Sequence, residues 1–158
     1  MQTENSKNYW LVGAAFGGQF EPGDLDWFLE TGVWYCHDPK EDAPDKKIGW
    51  QVQDMRNLFT QIKKGDRIAI KKMDINAKEA DILAIGIVKA DADFYDKEIM
   101  KSAWRVYVDW LPVGENGSKK IIGRRVALNG LTWAIHKFVK DDDDNPSNNA
   151  WIREIFCI

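Results

Sequence analysis

Apolar residues follow one another with little polar interruption over residues 9–15, which predicts a strand buried on both faces and central in its sheet. Gly17 and Gly18 end it. Asp24 is placed to cap a short helix over residues 25–31 that Gly32 closes, and Val33-Trp34-Tyr35 follows at once. The polar, acidic and proline-bearing stretch 36–49 predicts a loop. Within residues 51–64, Val52, Met55, Phe59 and Ile62 recur at helical spacing, with Gly65 as the stop. Residues 67–71 and 82–88 predict strands joined by a connection at 76–81, and residues 91–102 a helical turn.

The clearest alternation lies in 104–110, where Trp104, Val106, Val108 and Trp110 share one face and Arg105, Tyr107 and Asp109 the other. Pro112 ends that strand, residues 114–118 turn, and further strands are expected over 119–127 and 133–139. Residues 141–149 predict an acidic loop and 151–156 a short helix with Trp151 and Ile155 on one face. Two early helices followed by many short strands give an α+β class: a curled, partly closed sheet with helices at its edge. The expected organisation is a single domain over 1–158, with 1–7 and 141–149 flexible.

Composition adds bounds. With 158 residues, 44% hydrophobic and 30% charged, the chain fits one soluble domain. Its apolar runs are too short to span a bilayer, and the residues after Met1 form no apolar signal core. Cys36 and Cys157 are the only cysteines, too few for a disulfide framework, so a cytoplasmic location is expected. The net charge is -3, but base is concentrated at Lys63, Lys64, Arg67, Lys71 and Lys72 and again at Lys119, Lys120, Arg124 and Arg125. Acid gathers at 38–45 and 141–144. Eight tryptophans exceed what packing a domain of this size requires, and indoles are favoured walls for stacked bases.

Enzyme signatures are missing. The sequence has no phosphate-binding G-x-x-x-x-G-K-[ST], no G-x-G-x-x-G after a strand and no G-x-S-x-G. His37 and His136 are the only histidines, and Cys36-His37-Asp38 are adjacent residues whose side chains rarely converge on one metal. Cys36 with His136 is a conceivable nucleophile pair, though a structural cysteine is the simpler reading. No catalytic residue, cofactor or metal is expected.

An ordered series of segments is more specific than composition. It runs Tyr9-Trp10-Leu11-Val12-Gly13-Ala14, Phe28, Gly32-Val33-Trp34, Ile62-Lys63-Lys64-Gly65-Asp66-Arg67-Ile68-Ala69-Ile70-Lys71-Lys72, Ile85-Gly86-Ile87-Val88 and Val106-Tyr107-Val108-Asp109-Trp110. This series resembles the EVE-like domain at the N-terminus of McrB-type restriction NTPases, which cleave DNA carrying modified bases. EVE domains belong to the PUA-like superfamily, with YTH domains as relatives, and the resemblance covers roughly residues 9–138. Ile70-Lys71-Lys72 stands where EVE domains carry Tyr-His-Ser and is closer to the restriction type. The resemblance implies a pseudo-barrel with flanking helices and an aromatic cage for one modified base flipped out of nucleic acid.

Trp34 is similar in place to a cage wall, and Trp50 resembles the tryptophan ahead of the second EVE helix. Tyr35, Trp10 and Trp110 are candidates for a third wall, although Trp104, Trp110 and Trp10 also read as core. Lys71, Lys72, Arg67, Arg124 and Arg125 are the expected phosphate contacts, and Asp66 is expected to stabilise its turn. The expected function is a non-enzymatic reader of a modified base in DNA, in restriction or phage defence, with a separate NTPase or nuclease as effector. RNA is the close variant. A protein-interaction module using the acidic loops is one alternative class, and an enzyme built on a pair such as Asp109 with Lys71 is another.

Overall fold

Strand β1 (Asn8–Gly13) is hydrogen-bonded on both edges, antiparallel to β10 (Ile135–Val139) and parallel to β5 (Arg67–Asp74). This is the central position its apolar run predicts. Trp10 and Val12 face one cluster of buried side chains, Tyr9 and Leu11 the other. The computed structural model describes residues 7–13, 15–16, 19–20, 22–37, 56–74, 76–97, 101–111, 124–127 and 135–156.

The remaining strands are β2 (Ala15–Phe16), β3 (Gln19–Phe20), β4 (Val33–His37), β6 (Glu79–Val88), β7 (Asp93–Lys97), β8 (Lys101–Trp110) and β9 (Arg124–Ala127). The main sheet runs β10-β1-β5-β6-β8-β4, with β7 added to β8 and β9 to β6, while β2 and β3 form a separate small ladder. Trp34 of β4 and Ile135 of β10 come from the two ends of that path yet pack into one cluster. The sheet must therefore curl around it, giving a mixed α+β fold built on a half-barrel. The other face carries a smaller cluster covered by helix α2 (Ser147–Phe156) through Ile152, Ile155 and Phe156. Among the described residues no helix is long and apolar enough to cross a membrane.

Local differences from the sequence reading have local causes. Helix α1 (Pro22–Thr31) begins ahead of Asp24, because proline's fixed φ suits the first helical position. Gly32 closes it at φ +69°, its N–H donating to Phe28 O at 3.0 Å. The helix expected over 51–64 is helical at 56–59, with 51–55 outside the described residues. It tightens into i→i+3 bonds at Gln61 and Ile62, and the Lys63 and Lys64 N–H groups donate to the carboxylates of Asp66 and Asp91 instead. Side-chain acceptors thus end this helix before Gly65 does.

Half of the expected connection at 76–81 is strand, since β5 and β6 extend to Asp74 and Glu79 around a turn where Lys78 has φ 54°. The helical turn expected in 91–102 is the β7–β8 hairpin, whose ladder supplies partners that local propensity does not reveal. Of the strand expected over 119–127, residues 119–123 lie outside the described residues. So does Trp133 of the strand expected over 133–139. Helix α2 starts at Ser147, inside the stretch expected to be loop, just after Pro146. Gly86 permits the close approach of β8 to β6, with which it pairs: a Cβ there would lie 2.9 Å from Asp109 O.

Candidate aromatic site and its charged rim

Strand β8 places Trp104, Val106, Val108 and Trp110 on the inner face, as its alternation predicts, and β4 adds Trp34 beside them. Trp34 is 0% exposed, and its indole N–H donates to Gly13 O at 3.0 Å. Its ring tilts against Phe59 at 6.0 Å between centroids, and Phe59 stacks on Trp104 at 5.4 Å with 22° between planes. The Trp110 N–H donates to Phe28 O at 2.8 Å, tying β8 to α1. The Trp10 N–H donates to Asp66 Oδ2 at 2.8 Å, and Lys137 Nζ sits 5.9 Å from the Trp10 ring centroid.

The expected cage residues are therefore distributed as follows. Trp10, Trp34 and Trp110 share the inner cluster, each buried, with its N–H satisfied. Tyr35 alternates with Trp34 along β4, yet it packs against the same inner cluster, meeting it at Phe28. Tyr35 packs edge-on against Trp27 at 5.5 Å and Phe28 at 5.4 Å, and Trp27 itself is 42% exposed. Trp50 lies outside the described residues. Sequence reasoning left out of the cage Phe59, whose ring tilts against Trp34, and Trp104, which stacks on Phe59. The Val52-Met55-Phe59-Ile62 spacing marked Phe59 only as core.

The expected phosphate contacts separate in the same way. Lys71 is 1% exposed, which corrects its assignment as a phosphate contact, since a buried ammonium cannot meet a phosphate in solvent. It lies beyond an irregularity at Ile70/Lys71, where Ile70 pairs with Ala84 and Lys71 with Ile82, so that Leu83 is the extra residue of a bulge. Alternation with Ala69 puts Lys71 on the face that α2 covers, and desolvation lowers its pKa from 10.5 to about 8. Lys72 is exposed and pairs with Asp81, whose other neighbour is Arg125. The side chains of Arg124 and Arg125 lie outside the described residues. Arg67 is at the far end of β5, its Nη1 donating to Gly65 O at 2.6 Å, about 16 Å from Lys72 at strand rise.

Around Arg67 the rim is organised by Asp66. Its carboxylate is 3% exposed and accepts the N–H groups of Asn8 (3.0 Å), Lys63 (3.0 Å) and Trp10 (2.8 Å). This is the turn-stabilising role expected for it. Lys137 Nζ donates to Gln61 Oε1 at 2.6 Å, and Lys63 Nζ lies 3.8 Å from Asp91 Oδ2.

The catalytic pairs considered from sequence are not brought together. Cys36 packs against the inner cluster, whereas His136 pairs with Leu11 of the outer one. Asp109 is level with Arg67 across Ile87, about 13 Å along the strands from Lys71. No group of three or more potential metal ligands occurs among the described residues. Fold and site together define a half-barrel module with an aromatic inner face and a charged rim. The chain matches no protein-family model and no curated protein.

Proposed function

We propose that this chain is a PUA-like module of EVE type that reads a modified base in DNA without catalysing a reaction. What carries the reading is the Trp34–Phe59–Trp104 series on the inner face of a curled sheet. A flipped base gains about 1–3 kcal/mol by stacking on such rings, which offsets the few kcal/mol needed to leave the duplex stack. A methyl group on the base adds buried apolar area. Phe59 lies against both indoles, so its ring marks the position that a base would take. Cations on the rim hold the backbone, and RNA is the variant that the same geometry accommodates.

The test is binding of oligonucleotides with and without modified bases, in DNA and in RNA, by the wild type and by Trp34→Phe. The expected result is a preference for one modified base that falls about tenfold in Trp34→Phe, the equivalent of roughly 1.4 kcal/mol of stacking. Trp34→Ala accompanies it as a stability control: truncating this buried indole costs about 3–5 kcal/mol, read as a large drop in melting temperature. Equal, weak binding of every oligonucleotide by both wild type and Trp34→Phe rules the reading out. One observation favours a protein-interaction module instead: Trp27 at 42% and Tyr107 at 45% are exposed. That reading predicts no oligonucleotide binding even at low salt.

A further inference from the structure

The chain carries more acid than base, 25 Asp and Glu against 22 Lys and Arg, yet basic side chains gather around one turn. Lys63 and Lys64 are exposed on it, and Arg67 follows it directly. Lys7 is beside Asn8, whose N–H is held by Asp66. Lys89 follows Val88, which exchanges backbone bonds with Gly65 and Asp66 at 2.8 Å each. Lys137 reaches the same turn from β10 through Gln61.

Two of these cations are already oriented. Lys137 is fixed by Gln61 beside the Trp10 ring, and Arg67 by the Gly65 carbonyl. The turn itself is tied by Asp66, Gly65 and Ile62, the last accepting the Ala92 N–H at 3.0 Å. Such a rim loses little further freedom when it meets a chain of phosphates. It is continuous with the aromatic series, since Phe59 and Ile62 enter the inner cluster just before the lysines emerge. At the opposite end of β5, Lys71 is buried and Lys72 stands opposite Asp81.

We infer that the Lys63–Lys64 turn, with Arg67 and Lys137, is the surface that holds the sugar–phosphate backbone. The inference rests on the nucleic-acid reading above and names the face that serves it. The acidic run Asp141, Asp142, Asp143 and Asp144 leaves β10 at this same end, where Val139 pairs with Asn8. It sets a repulsive border that limits how far the backbone extends.

The experiment measures binding of short single-stranded DNA and RNA of one sequence, each with and without a modified base, across a salt series. The proteins compared are the wild type, Lys63→Ser/Lys64→Ser, Lys72→Ala and Asp143→Asn/Asp144→Asn. The double lysine variant is expected to bind DNA and RNA more weakly by the same factor. Its log–log salt slope should be shallower by about 1.4, two contacts at about 0.7 each on single strands. The ranking of modified over unmodified bases stays as in wild type, Lys72→Ala leaves the slope unchanged, and the aspartate variant binds more tightly. Wild-type slope in Lys63→Ser/Lys64→Ser overturns this surface while leaving the base reader standing. A loss confined to DNA or to RNA overturns it as well, because the contact would then be to the sugar. A wild type that binds neither strand at low salt overturns both the surface and the reader.

Discussion

The two ends of β5 each bury a charged residue, and they treat it in opposite ways. Asp66, just before the strand, is surrounded by three N–H donors from β1, the turn and an indole. Lys71, beyond the bulge, lies beside Ile82 and Gly13 in register, and its burial moves its pKa down to about 8. A buried ion supplied with hydrogen bonds becomes a structural joint. One whose desolvation prevails, as burial does at Lys71, carries a penalty instead. The first end is thereby rigid and presents cations outward, while the second draws its cation inward.

The sharpest way to break the comparison is at Asp66. Asp66→Ala removes the acceptor for Trp10, Asn8 and Lys63 together and leaves a buried indole N–H without its bond. One lost bond to a charged group is worth about 1.5–3 kcal/mol and an orphaned buried donor about 1–3 kcal/mol, so a total of about 3–5 kcal/mol is expected. Urea unfolding with an unchanged m-value reads it. Asp66→Asn is expected to fall between this variant and wild type, because its NH2 group faces donors where an oxygen is needed. A loss below about 1 kcal/mol for Asp66→Ala would show that the carboxylate is not the joint.

Lys71 gives the next effect, and its sign is opposite to that of a salt-bridged lysine. Below about pH 8 the folded and unfolded chains both hold the proton, and the burial penalty is present in full. Between about 8 and 10.5 the unfolded chain binds the proton and the folded one does not, so stability rises with pH. Above that window the penalty is gone. The span corresponds to something on the order of 3 kcal/mol. Lys71→Met is therefore expected to be more stable than wild type at pH 7, with the gap closing by pH 10. Unfolding of both proteins at the two pH values checks this, and a gap that does not narrow contradicts it.

The contrast between these ends was only half legible in the sequence. Asp66 after Gly65 reads as a turn residue, and the apolar run into β1 reads as a central strand, because both signals are local. The burial of Lys71 is not local. Alternation with Ala69 puts Lys71 on its face of β5 whatever the register of β6, but the cover on that face comes from α2, distant in sequence. Trp34 and Tyr35 show the same limit from the other side. Adjacent aromatics alternate in direction along a strand, and only the packing of α1 shows that Tyr35 still meets the cluster of Trp34, at Phe28. Phe59 was visible as an apolar helix position, but nothing in its spacing announced that it would stack between Trp34 of β4 and Trp104 of β8 in the contact series.

The smallest expected effect separates Lys72 from its neighbour. Lys72 differs from Lys71 by one position on the strand, and that step takes it from the covered face to solvent. Its charge is solvated in both folded and unfolded chains, and a surface substitution away from caps and special backbone changes stability by no more than about 0.5 kcal/mol. Lys72→Ala should therefore leave the unfolding midpoint within that margin at pH 7 and pH 10 alike, while Lys71→Met shifts it at pH 7 alone. Asp81 pairs with Lys72 in the ladder, but an exposed charge pair contributes about 0–1 kcal/mol and falls with salt. Repeating the measurement at high salt removes that remainder. A Lys72→Ala effect that persists there and exceeds 1 kcal/mol would place both lysines on the buried side and end the distinction drawn between them.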